Sequence, residues 1–247
     1  MQSETINYGK NSAKKHGFYD KIVKQIKISK IDFVEYEGIK PNPILDDVEK
    51  CVEICKRESV EFIIALGGGS VIDSAKIIAL AYANNVNAWD IMKYKAKIEK
   101  TIPLIAILTL AATGTEMNGA AVIQNHNTHE KLGYFNQLNF PKESFLDPSF
   151  TISVPKINTI YGIVDMVAHA LEAFFAEGDA PLSDKLVAAT LKEIFETAPL
   201  LLKNLENYDL RARILWASTV ALNGTLYHGR KTSGDWGVHS FGHVLSY

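Results

Sequence analysis

A chain of 247 residues with 47% hydrophobic and 22% charged side chains can bury a sizeable core, which makes it an ordinary globular protein of one large domain or two small ones. A formal net charge of -2 argues against a nucleic-acid or anionic-membrane surface and leaves small neutral or acidic metabolites as partners. The amino terminus lacks the apolar core of a signal peptide. The longest apolar stretch, Leu104 to Ala112, is too short to span a bilayer, so the expectation is a soluble cytoplasmic protein.

Strand-like and helix-like segments alternate through the first half. A helix is expected from about Tyr19 to Lys27, a strand at Phe33-Val34-Glu35-Tyr36, a helix from about Ile44 to Glu58, a strand from Phe62 to Leu66 and a helix after Ser70. That order signals a parallel α/β sheet. Cys51 and Cys55 share helical spacing with Val48 and Val52 and read as reduced core residues rather than a redox pair. A buried strand, Leu104 to Leu108, leads into Thr109 to Glu116. A hairpin follows, Gly119 to Ile123 returning at Leu132 to Phe135, with His126 and His129 solvated in its polar turn. The Pro141 and Asp147-Pro148 stretch reads as a connector, and from Pro155 onward helical periodicity dominates. The expected division is therefore 1–150, α/β, and 151–247, helical. Both ends are abrupt. The turn Asn7-Tyr8-Gly9-Lys10-Asn11-Ser12 would normally be fed by a preceding strand, and Tyr247 falls inside an unfinished helix, so a fragment is expected.

Chemistry is carried by two pairs of potential metal ligands, Asp165/His169 and His239/His243. Each pair is four residues apart, which puts both members on one helix face. The segment from Ile160 to Glu172 is apolar almost all round except for a stripe of Asp165, His169 and Glu172, the pattern of a buried helix. Polar groups taken out of water need partners, and a divalent metal is one; a satisfied hydrogen-bond pair or a thin solvent face is the alternative for one such pair alone.

The second candidate site is a glycine-rich loop. The apolar strand Phe62 to Leu66 runs into Gly67-Gly68-Gly69-Ser70 and then a helix holding Asp73. Consecutive glycines let a phosphate approach the backbone, and the helix start offers free N–H groups and a positive dipole end. Ile72 occupies the last glycine position of GxGxxG, so the dinucleotide fingerprint is incomplete and a tight strand-to-helix turn is the structural alternative. Thr109, Thr113, Gly114 and Thr115 follow the next buried strand, where a parallel sheet puts ligand-contacting loops. Their hydroxyls suit a phosphate or ribose, and equally a helix cap.

These residues resemble the iron-containing, or group III, alcohol dehydrogenase family, in particular its butanol dehydrogenase and broad-range aldehyde reductase branch. The resemblance runs through Tyr8-Gly9-Lys10-Asn11-Ser12-Ala13-Lys14-Lys15, Gly67-Gly68-Gly69-Ser70-Val71-Ile72-Asp73, Thr113-Gly114-Thr115-Glu116-Met117-Asn118, Leu146-Asp147-Pro148, and the run from Gly162 to Glu172. It continues with Glu206-Asn207-Tyr208-Asp209, Leu222-Asn223-Gly224 and the run from Asp235 to His243. It implies a Rossmann-like nucleotide-binding domain over 1–150 and an all-helical metal-binding domain over 151–247, a dehydroquinate synthase-like architecture, with a nicotinamide in the cleft. It implies Asp165, His169 and His239 as ligands of Fe(II) or Zn(II). His243, which spacing alone offers as a fourth ligand, resembles instead a histidine near the substrate. Lys131 resembles a cofactor-contacting lysine, and Gly9, Lys10, Asn11, Ser12, Gly68, Gly69, Ser70, Asp73, Thr109 and Thr113 are the other expected cofactor contacts. A further histidine ligand is expected beyond Tyr247, and the first strand ahead of Asn7 is expected to be missing.

The function so implied is NAD(P)H-dependent interconversion of small aldehydes and primary alcohols, with a catalytically inactive, truncated nucleotide-binding remnant as the rival. NADP(H) is expected over NAD(H), because the Gly9-Lys10-Asn11-Ser12 turn carries a cation and no acid to hold a ribose diol. No nucleic-acid or membrane partner is expected, and a homodimer is compatible with the resemblance. His228 is assigned no role.

Overall fold

The computed structural model describes residues 3–9 and 12–246, with residues 3–8, 12 and 13 at the level of the backbone alone. The chain divides into two compact units. One holds residues up to Leu108 together with Gly119–Phe145, and the other holds Thr109–Asn118 and Leu146–Leu245. The division is thus not a single cut near residue 150: the ten residues after the fourth strand leave the sheet and join the helices.

The first unit contains strands β1 (Ser3–Gly9), β2 (Asp32–Ile39), β3 (Val60–Gly67) and β4 (Leu104–Leu108), a hairpin of β5 (Ala120–Asn125) and β6 (Glu130–Phe135), and β7 (Glu143–Phe145). Its helices are α1 (Ser12–Lys15), α2 (Phe18–Ile28), α3 (Leu45–Glu58), α4 (Gly69–Asn84) and α5 (Ala88–Met92). On α3, Val48, Cys51, Val52 and Cys55 form one fully buried stripe, while Asp46 and Asp47 in its first turn and Lys56 and Arg57 in its last complement the helix dipole. The thiols are free and buried.

Five parallel strands lie in the order β2-β1-β3-β4-β7. The chain winds outward from β1 to β2, then returns to the other side of β1 for β3. Winding therefore reverses between β1 and β3, and the crevice beyond the carboxyl ends of two such strands is where an open α/β sheet holds a ligand. Because Tyr8 pairs with Leu66, Gly9 and Gly67 end neighbouring strands at that point. The expectation of no strand ahead of Asn7 is corrected: β1 begins at Ser3 and is bonded on both sides, its polar composition notwithstanding. The expected connector also holds β7, three residues paired to β4.

The hairpin is fastened to α4 by two buried side chains. Asp73 Oδ2 accepts from the Val122 N–H at 3.0 Å, and Lys76, fully buried, donates from Nζ to the Ala120 carbonyl at 2.7 Å. Each satisfies a β5 backbone group that pairing with β6 leaves over.

The second unit is built from α6 (Lys156–Phe175), α7 (Pro181–Leu201), α8 (Tyr208–Leu222) and α9 (Gly237–Leu245). Met166, Ile194, Ala198, Leu201, Ile214, Ala217 and Ala221 form its main core. Buried Arg211 on α8 donates to the carbonyls of Leu205 and Val154 and to Thr159 Oγ1 on α6, which satisfies a charge inside the helix packing. Gly162 lets α6 come against the 109–118 segment: a Cβ there would stand 2.2 Å from the Ala111 carbonyl oxygen. Asp165 follows less than one turn later.

Two substitutions test this construction. Gly162→Ala is expected to cost about 1–3 kcal/mol of stability in urea unfolding, because the carbonyl it meets is backbone; a cost below about 0.5 kcal/mol would mean that the segment yields freely. Asp73→Ala is expected to cost about 1–3 kcal/mol by stranding the Val122 N–H, and an unchanged unfolding midpoint would refute that role.

Candidate metal centre and nucleotide-binding loops

Three of the expected ligands converge. Donor atoms of Asp165, His169 and His239 all lie within 4.8 Å of one another. Asp165 and His169 are one turn apart on α6, and His239 arrives on the first turn of α9. His239 Nε2 lies 3.5 Å from Asp165 Oδ1, His169 Nδ1 lies 3.9 Å from Asp165 Oδ2, and the two imidazoles stack with centroids 4.4 Å apart. His243, one turn past His239 and half-buried, is outside this donor set.

The electrostatics separate the two rings. His169 is 4% exposed, and burial pushes its pKa down to about 4 against the opposing pull of Asp165. It is neutral at pH 7. For His239, burial also works against the proton, but the hydrogen bond to Asp165 and the charge of Glu172 outweigh it and the pKa is raised.

A divalent ion fits these residues. His169 Nδ1 is buried and has no hydrogen-bond partner among the described residues, an arrangement that costs free energy unless something accepts its lone pair or its proton. One hard carboxylate oxygen and two borderline imidazole nitrogens suit Fe(II) or Zn(II).

Sequence reasoning gave Glu172 no role. The structure places its carboxylate, 2% exposed, on His239: Oε1 accepts the backbone N–H at 3.0 Å and Oε2 stands 2.8 Å from ring Nδ1. Glu172 was visible in the sequence as the third member of the α6 stripe. Its partner, 67 residues away, was not.

In the first unit, Gly68 precedes α4 with no side-chain cap, which leaves the first-turn N–H groups at Gly69 and Ser70 without intrahelical partners. Gly9 ends β1 beside them; Lys10 and Asn11 lie outside the described residues, and of Ser12 only the backbone is described. Asp73, another expected cofactor contact, is buried, and its Oδ2 accepts from the Val122 N–H. Lys131 Nζ donates to Asn42 Oδ1 at 3.0 Å. Lys14 Nζ is 2.8 Å from Glu37 Oε2, where β2 ends beside β1. Thr109 and Thr113 are half-buried and belong to the second unit, with Gly114 at φ 55° packed on the Ser218 carbonyl.

Comparison with known proteins agrees with this geometry. Residues 3–148 match the family model of iron-containing alcohol dehydrogenase, and residues 159–247 match that of the Fe-containing alcohol dehydrogenase family, C-terminal. A probable NADH-dependent butanol dehydrogenase 1 of Bacillus subtilis is 44% identical over 97% of this chain and 62% of its own length. The NADPH-dependent aldehyde reductase YqhD of Escherichia coli is 37% identical over 98% of this chain and 62% of its own. The crystal structure of NADH-dependent butanol dehydrogenase A from Thermotoga maritima superposes with a TM-score of 0.96 at 41% identity, covering 100% of this chain and 62% of that one. The chain therefore spans about three fifths of the length of these relatives, and its two units are the Rossmann-like and helical parts of their fold. With both units matched in order along the sequence, the chain belongs to the iron-containing alcohol dehydrogenase family.

Proposed function

We propose that this protein is a metal-dependent NAD(P)H oxidoreductase that interconverts small aldehydes and primary alcohols, acting mainly as an aldehyde reductase. The observation that carries the proposal is the convergence of Asp165, His169 and His239 around a buried imidazole nitrogen that has no hydrogen-bond partner among the described residues. A divalent ion bound there supplies Lewis acidity, which polarises a carbonyl and offsets charge developing on its oxygen. A reduced nicotinamide supplies the hydride. Asp165, His169 and His239 would hold the ion, the two rings as neutral donors. His243 orders the substrate or moves a proton at its oxygen. Gly9, Gly68, Gly69 and Ser70 cradle the pyrophosphate and ribose at the point where the sheet's winding reverses, with Lys131 as a further contact; the hydroxyls of Thr109 and Thr113 are of the type that bonds a phosphate or ribose. The remnant reading draws no support from a donor set that the fold holds together. Residence in the cytoplasm and assembly as a homodimer belong to the same reading; among the described residues no helix is long and apolar enough to cross a membrane.

His169→Ala tests the metal site. Its affinity for Fe(II) or Zn(II) is expected to fall by more than about a hundred-fold, with far-UV circular dichroism retained. Unchanged metal content by elemental analysis would remove His169 from the ligand set. Reduction of a short aldehyde such as butanal, abolished by a chelator and restored by Fe(II) or Zn(II), tests the activity; no metal-dependent turnover with either nucleotide would refute it.

Within this function we favour NADP(H). Of the three relatives named above, two are named for NADH and one for NADPH, so the preference rests on this chain's own residues. In this chain Glu37, which pairs with Tyr8 near the end of β1, is ion-paired with Lys14, and an exposed pair of that kind contributes only about 0–1 kcal/mol, so a phosphate dianion can draw the ammonium away. Lys14→Gln is expected to weaken NADPH binding about ten-fold with little effect on NADH, whereas Glu37→Gln should strengthen NADPH binding several-fold. Tighter binding of NADH than NADPH by the unaltered protein would overturn the preference.

A further inference from the structure

Glu172 lies three residues beyond His169 on α6 and bonds the chain around His239 three times. Its carbonyl oxygen accepts the Asp235 N–H at 3.0 Å, Oε1 accepts the His239 N–H at 3.0 Å, and Oε2 stands 2.8 Å from His239 Nδ1. Between the two backbone bonds, Trp236 turns at φ 58° and sets its ring edge-on against His239, centroids 5.7 Å apart. An ionised carboxylate only accepts, so the proton of the ring contact belongs to Nδ1. A neutral imidazole with its hydrogen on Nδ1 keeps its lone pair on Nε2, the atom that faces Asp165.

We infer that Glu172 is the positioning residue of this metal centre: by bonding Nδ1–H and the backbone of His239 together, it sets the ring's tautomer and direction so that Nε2 is the donor. The inference rests on the proposed metal site. A simpler role exists, since Oε1 also caps the first turn of α9. The two roles separate on substitution. Gln offers one acceptor oxygen and one donor amide, so Glu172→Gln keeps one of the two bonds and loses the other, along with the charge that strengthens Nδ1–H.

The experiment titrates the apo protein with Co(II) and Zn(II), comparing the unaltered chain, Glu172→Gln and His169→Ala. Glu172→Gln is expected to keep its circular dichroism and melting profile, to bind Co(II) about 10–100-fold more weakly and to shift the Co(II) ligand-field band. His169→Ala should lose the band altogether. An unaltered protein that binds neither ion refutes the metal site itself. A site that binds in the unaltered protein and fails in His169→Ala, yet keeps its affinity and band in Glu172→Gln, overturns the positioning role and leaves only the cap. Should Glu172→Gln misfold, nitrogen-15 spectra of the Zn(II)-loaded unaltered protein still decide: a protonated Nδ1 with Nε2 on the metal is expected for His239, and the reverse assignment would overturn the inference.

Discussion

Burying His169 and Glu172 on one stripe of α6, with the half-buried Asp165 beside them, is the constraint on which the helical unit depends. An unpaired buried polar group costs roughly a few kcal/mol. The stripe therefore requires partners that α6 cannot supply from its own turns. His239 is delivered from the far end of the unit and meets two members of the stripe at once, Asp165 through Nε2 and Glu172 through Nδ1. The apolar faces beside the stripe pack Met166 into the main core, and Gly162 admits the 109–118 segment. Packing thus fixes the height and rotation of α6, and the polar stripe then fixes what must stand opposite it.

The α/β unit solves a different problem. A phosphate-cradling loop would need free backbone N–H groups at a helix start, and α4 begins on glycine without a side-chain cap. A helix so begun forgoes about 1 kcal/mol of capping. Burial compensates, because α4 is apolar through most of its length, and Asp73 and Lys76, one turn apart, bind the hairpin backbone to it. The residues just past the loop thereby fasten the hairpin to the helix.

Much of this was legible from residue order. Continuous apolar strands at Phe62 to Leu66 and Leu104 to Leu108, the stripe on α3 and the i, i+4 pair Asp165/His169 are local patterns, and local patterns survive into the fold. What escaped depends on partners distant in sequence. Strand β1 is polar by composition and is a strand because β2 and β3 bond it on both sides. Strand β7 is three residues long, too short for a periodic signal. Asp73 follows the glycine loop, and its bond to Val122 depends on the approach of β5, a partner that residue order does not show. Thr109 to Asn118 follow a strand in sequence yet pack with helices, a choice made by Gly114 and Gly162 accepting close backbone contact.

The charge balance of the centre explains why its two imidazoles behave oppositely. Asp165 and Glu172 bring two carboxylates to the same site, and the stacked rings of His169 and His239 are the groups placed to answer them. Both rings cannot carry a proton, because two imidazolium charges at a 4.4 Å stacking distance repel strongly in a partly buried site. The more exposed ring, His239, touches both carboxylates and takes the raised pKa, while the buried His169 stays neutral down to about pH 4. A proton on His239 thus offsets part of the negative charge that a divalent cation would offset more fully. For His239 to serve as a ligand it would have to give up that proton, so the same carboxylates that would attract an ion would also make its binding weaken as pH falls through the raised pKa of His239.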